Sequence, residues 1–360
     1  MSKSIAKSLS LTALALLAAS VLAANSPTPA ELVEDGHWKR ARAALEPLAQ
    51  RSPNDAQTLY LLGRVKFVYR DYAGALSLAE RAAAIDPKNA EYRWLIASAV
   101  GEMADDAGPF KAMGLARRFK REAEQVIVLD PKHIDSRWGL MEFHKRAPGI
   151  VGGDDKKAYV YLEEIKKLNP VRGQFAEYRM RQLEKKQVSP EPYYLKAYEL
   201  EPNNYDVLRN LARFYSSDQQ KKYDLAEKYA RAMLKLKPQR TAGYTLLAFL
   251  YAMQKNWKEL EGVIAESEKN IPDSFITHFQ AAATLGNSGA DNERAERYFK
   301  KYLSIEPEPG HPTHADAHFL LGRLYETKMN RREDAVREYQ EALRLNKDHE
   351  EAKKALKRLK

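Results

Sequence analysis

The apolar positions of this chain recur three and four residues apart in short runs, and the runs come in pairs. In "AQTLYLLGRVKFVYRDYAGALSLAERAAAIDPKNA", Leu59, Leu62 and Gly63 share one helix, and Ala75, Ala79 and Ala82 share one face of a second. Small residues on that second face let two helices approach closely, and Asp86-Pro87 stops the pair. Comparable proline stops stand at Pro53, Pro131, Pro202, Pro238 and Pro272. Pro53 to Pro87 spans 34 residues, and so does Pro238 to Pro272. A fixed period near 34 predicts stacked helical hairpins, hence an all-α solenoid.

The unit resembles the tetratricopeptide repeat, with its W-x2-L-G-x2-Y, A-x3-F-x2-A and P pattern. One further block carries Tyr244, Leu247, Ala248, Tyr251, Leu260, Ile264 and Pro272; another carries His318, Leu321, Gly322, Tyr325, Ala335, Tyr339 and Ala342. The resemblance implies a helical-hairpin superhelix of about nine repeats between Pro27 and Lys360. The first unit, around "WKRARAALEPLAQRSP", has a short first helix and caps one end. "HEEAKKALKRLK" repeats apolar residues at Ala352, Ala355, Leu356 and Leu359, the pattern of a C-terminal capping helix.

Two intervals exceed the period. Pro87 to Pro131 spans 44 residues and Pro131 to Pro170 spans 39. The second excess holds Gly149, Gly152 and Gly153 in a loop, and such insertions often decorate one binding face. This stretch is similar to a group of exported bacterial tetratricopeptide proteins with an A-P-G-x-x-G-G-x-x-x-K-A loop, matched here from Ala147 to Ala158. The weakest repeat is "VRGQFAEYRMRQLEKKQVSPEPYY", interrupted by Pro190 and Pro192. It suggests a soft boundary between an N-terminal array over 25–187 and a C-terminal array over 188–360.

The first 24 residues differ in kind. Lys3 and Lys7 precede "SLSLTALALLAASVLAA", an uncharged run ending in small residues. This reads as a signal peptide at 1–24, leaving no stable membrane span after cleavage and a periplasmic protein. Its removal takes the net charge from +10 to +8. Cysteine is absent, which excludes disulfides, thiol catalysis and cysteine-ligated zinc. There is no G-x-S-x-G, and "GIVGGDDKKA" lacks the G-K-[ST] of a phosphate loop. The paired acids Asp105-Asp106 and Asp154-Asp155 lack the ligand ladder of a calcium loop. No nucleic-acid module is visible.

In the family, the residues after the Trp and Gly slots of each first helix line a concave groove. Here the first series is Tyr60, Trp94, Trp138, Arg209, Thr245, Phe279 and Phe319. The second is Arg64, Ser98, Glu142, Arg213, Phe249, Ala283 and Arg323. Tyr60, Arg64, Trp94, Trp138, Arg209, Arg213, Phe319 and Arg323 are the expected partner-binding residues, because aromatic and arginine side chains dominate binding hot spots. The lysine and asparagine of the clamp that grips chaperone C-termini are missing from these slots. His311, His314 and His318 are weak metal candidates, since His318 occupies the Trp slot of its repeat and Pro312 places His311 in a loop.

The expectation is a non-enzymatic scaffold without a cofactor. It binds proteins with acidic or extended segments in the concave groove, and no nucleic acid. The alternative, drawn from the basic charge, is assembly or binding of an anionic envelope glycan.

Overall fold

The computed structural model describes residues 27–359. Among them are nineteen α-helices and no strand. They form nine consecutive antiparallel pairs and one terminal helix, as the repeat count predicts. The pairs are α1 (Pro29–Asp35) with α2 (Trp38–Arg51), α3 (Ala56–Val68) with α4 (Tyr72–Ile85), and α5 (Ala90–Asp105) with α6 (Pro109–Leu129). Next come α7 (Ile134–Arg146) with α8 (Asp155–Leu168), α9 (Pro170–Leu183) with α10 (Glu191–Leu200), and α11 (Tyr205–Ser216) with α12 (Tyr223–Leu236). The last three are α13 (Thr241–Met253) with α14 (Trp257–Asn270), α15 (Ile276–Ser288) with α16 (Asn292–Tyr302), and α17 (His314–Lys328) with α18 (Arg332–Leu345). Helix α19 (Glu350–Leu359) covers the open end.

Local chemistry starts and stops each helix. Asp55, Asp71, Asn89, Asn169, Asn204 and Asp291 each accept from backbone N–H groups of the first turn that follows them. Several hairpins turn from first to second helix through one left-handed residue, among them Arg70 (φ 63°), Lys255 (φ 56°) and Asn330 (φ 53°). Pro190 and Pro192 do not break the array. They stand at the N-cap and in the first turn of α10, where a missing N–H costs nothing. Aromatic packing continues across that point, with Tyr178 and Tyr194 ring centroids 5.8 Å apart.

The small residues of the second helices do what their pattern predicts. Ala75, Ala79 and Ala82 are fully buried, and a Cβ on Gly63 would lie 3.0 Å from Leu95 Cδ2. One continuous apolar core runs from Val171 to Ala355. Between Leu32 and Met180 the core divides into smaller clusters instead.

The superhelix curves until its beginning meets its later repeats. The backbone N–H of Lys39 donates to Glu308 Oε2 at 3.0 Å, and Lys39 Nζ donates to the carbonyl of Asp273 at 3.0 Å and to that of Glu306. Arg240 donates to the carbonyl of Glu34 at 2.7 Å. These contacts link the α1–α2 hairpin to the loops that precede α13, α15 and α17.

Candidate functional site

Three successive first helices, α3, α5 and α7, line one wall of the N-terminal half. Tyr60, Arg64 and Phe67 project from α3, Trp94 and Ser98 from α5, and Gly139 and Phe143 from α7. Their spacing of three or four residues keeps each set on one face. Two adjoining cavities of about 600 Å³ each lie along this wall and share Phe67, Trp94 and Ser98. One is mixed, with Glu34, Tyr60, Arg64, Glu91 and Asp135. The other is mainly apolar, with Met113, Phe119, Phe143, Ile150 and Val151.

The apolar cavity is made by both long intervals seen in the sequence. The extra turns of α6 bring Met113, Ala116 and Phe119 over α5. The Ala147–Ala158 loop closes the far side with a 3-10 turn at Gly149–Val151. Gly153 N–H donates to the carbonyl of Pro148 at 3.1 Å, and Gly152 has φ 111°. A Cβ on Gly153 would fall 1.7 Å from the carbonyl oxygen of Ala147, so only glycine fits that position. Asp154 then caps α8, accepting from Lys156 N–H at 2.9 Å.

The floor of this cavity is aromatic. Trp94 and Phe119 meet edge to face at 6.3 Å, and Phe119 meets Phe143 at 5.9 Å. Gly139 makes room for them, since a Cβ there would lie 2.9 Å from both Phe119 Cζ and Trp94 Cη2. Ile150 stands at the rim and is 76% exposed, an unusual position for an isoleucine without a partner. Phe119, Phe143, Met113 and Ile150 were not among the residues expected from repeat slots. The long intervals were their only sequence signal.

The eight expected binding residues fall in separate places. Tyr60, Arg64 and Trp94 share the mixed cavity. Arg64 is already paired with Glu34 at 2.9 Å. Burial pushes the Tyr60 hydroxyl up to about 12, and its OH donates to Glu91 at 3.4 Å. Trp138 donates from its indole N–H to Glu142 at 3.0 Å, and the Arg172 guanidinium lies 5.2 Å from its ring. Arg209 and Arg213 border a second polar cavity of about 480 Å³ with Phe249 and Gln280. Arg209 pairs with Asp206 at 2.9 Å, whereas Arg213 is exposed. Phe319 packs against His349 at 4.9 Å and Tyr339 at 5.8 Å, and Arg323 donates to Asn287. Of the remaining slot residues, Phe279 is buried against Tyr302 at 4.9 Å and does not face a groove.

The three candidate histidines have separate surroundings. His314 Nε2 bonds the carbonyl of Ile305 at 2.8 Å, and His318 Nδ1 bonds Glu338 at 2.6 Å. His311 lies instead at the junction between α1–α2 and the later repeats. The signal-peptide segment 1–24 lies outside the described residues. Among the described residues, no helix is long and apolar enough to cross a membrane.

Tetratricopeptide-repeat family profiles match the chain in three places, residues 32–99, 193–228 and 315–349. No curated protein sequence matches it. Among solved structures, the chain is similar to yeast Tom70, with 15% identity, a TM-score of 0.48, and coverage of 92% of this chain and 79% of that one. It is also similar to human IFIT1, solved as a dimer with m7Gppp-AAAA, with 18% identity, a TM-score of 0.46, and coverage of 92% and 79%. A tetratricopeptide repeat protein from Parabacteroides merdae shows 16% identity, a TM-score of 0.35, and coverage of 92% and 95%.

Proposed function

We propose that this protein is a non-enzymatic scaffold that binds a segment of a partner protein along α3, α5 and α7. The observation that carries this reading is the aromatic-floored cavity between α5, α6 and the glycine loop, continuous with the mixed cavity at Tyr60 and Trp94. A cleft of this size, apolar within and polar at one end, suits an apolar anchor followed by an extended stretch. Tetratricopeptide repeats in general serve protein interaction, which supports the same reading.

The partner's finer character follows from the arginines. Arg64 and Arg209 are occupied internally, so acidic residues of a partner would meet Arg213 and the exposed Arg146 at the rim of the apolar cavity. The positively charged start and apolar run of residues 1–24 support export to a periplasm. The second reading, a binder of anionic envelope glycan, rests on the net charge of +8 after signal removal.

Ile150→Glu and Met113→Glu test the proposal, because both residues wall the cavity without filling the core. Crosslinking of the full chain in its own compartment should capture one protein whose yield falls at least tenfold with either variant. Helical content should stay unchanged. Equal capture by variant and wild type would refute the cavity as the site. Retention of anionic glycan that is lost above about 0.3 M salt, with no protein captured, would favour the second reading.

A further inference from the structure

The junction between the α1–α2 hairpin and the later repeats holds buried groups that the proposed scaffold role does not use. His37 lies between α1 and α2, Asp273 between α14 and α15, and Glu308 between α16 and α17. One donor atom from each lies within 4.8 Å of the other two. Glu308 is only 4% exposed and His37 only 6%. Glu308 Oε2 accepts from the Lys39 N–H, but its Oε1 is buried with no hydrogen-bond partner. Both carboxylate oxygens of Asp273 are likewise shielded and without one.

Nearby cations do not satisfy these oxygens. Lys39 Nζ turns to the backbone carbonyls of Asp273 and Glu306. Arg40 Nε pairs with Asp273 Oδ2 only loosely, at 3.9 Å, longer than a hydrogen bond, and the Asp273 side chain is part exposed. An unpartnered oxygen on a carboxylate as buried as Glu308 is costly, and a bound cation would satisfy it. A neutral imidazole is the form that ligates a metal.

We propose that His37, Asp273 and Glu308 form a binding site for a divalent cation of the zinc class, which clamps the first hairpin to the later repeats. One imidazole nitrogen and two carboxylate oxygens are a donor set suited to zinc, with bonds of about 2.0–2.2 Å. Donors around one such ion sit about 3–4 Å apart, and a small side-chain closure brings these three to that spacing. His311, whose Nδ1 is buried without a partner, lines a cavity of about 250 Å³ with His37 and Glu308. The ligands come from segments far apart in the chain, so the ion would hold closed a curve that the repeats alone leave to a few polar contacts. The inference is independent of what the groove binds.

The test is calorimetric titration of the chelator-stripped full chain with zinc chloride at pH 7.5. One zinc per chain is expected, with affinity at least tenfold weaker in each of His37→Gln, Asp273→Asn and Glu308→Gln. His314→Gln and His318→Gln should bind as wild type. Circular dichroism confirms folding, and Glu308→Gln keeps an oxygen acceptor for the Lys39 N–H. Absence of zinc binding, unchanged binding in the three ligand variants, or loss of binding in His318→Gln would each overturn the proposal.

Discussion

Arg240 Nε stands 3.3 Å from Asp35 Oδ1, joining residues 205 positions apart in the chain. The same guanidinium donates to the Glu34 carbonyl and lies 5.0 Å from the Tyr205 ring. Together with Lys39, it is how an array built from neighbour contacts acquires a long-range one. A solenoid without such contacts is held only by its nearest-neighbour interfaces and can open along its length.

Removing these contacts should therefore change shape more than helicity. Arg240→Ala combined with Lys39→Ala removes the guanidinium and the ammonium that bridge the first hairpin and the later repeats. A radius of gyration larger by several per cent is expected in small-angle scattering, with the same circular dichroism. The stability cost should be about 1–2 kcal/mol, because the pairs are partly exposed. An unchanged radius would show that the curvature is set by repeat packing alone.

Glu308 gives the junction a pH dependence. Its folded value of about 7 lies above the ordinary 4.5, so the folded chain binds more protons than the unfolded one between those values. The stability tied to this group is full below pH 4.5 and is lost as pH rises through 7. With chelator present, Glu308→Gln should melt higher than wild type at pH 8, equivalent to about 2–3 kcal/mol, and converge with it near pH 5. Parallel melting profiles would contradict this.

His278 acts with the opposite sign. It is buried between Phe275 and Tyr298, at 5.2 and 5.4 Å, and burial lowers its value from 6.5 to about 4 despite Glu268 at 3.3 Å. Its contribution is full above pH 6.5 and is lost as pH falls through 4. His278→Phe should flatten the loss of stability between pH 6.5 and 4 by about 2 kcal/mol. Thermal melts across that window decide it.

The glycines of α6, α7 and the loop before α8 should not respond alike to alanine. Gly153→Ala cannot be accommodated against the Ala147 carbonyl and should unseat the loop wall of the apolar cavity. Gly139→Ala pushes on the movable ends of Trp94 and Phe119 and should cost about 1–3 kcal/mol. Gly114 has open space around it within α6, so Gly114→Ala should stabilise by up to about 1 kcal/mol. Melting temperatures of the three variants give the ranking directly.

The architecture was legible because a repeat writes its contacts locally. Ala79 and Ala82 pack on α3 and α5, the helices just before and after their own, so their spacing specifies contacts between neighbours in the chain. The binding residues were only partly legible. Tyr60, Arg64 and Trp94 do share a cavity, but Phe279 turns into the core, and Arg64 and Arg209 find acids from their own chain. A slot in the repeat gives a direction along one helix, while the neighbour that fills the space arrives from the next hairpin.

The sequence by itself determined an all-α array of nine hairpins with a terminal cap, since period, small-residue faces and caps act over one or two helices. Only the tertiary structure decided where the cavities lie and that His37, Asp273 and Glu308 meet. Small rotations between successive repeats add up along the superhelix, and that sum, which no local pattern encodes, brings its first hairpin to its later repeats.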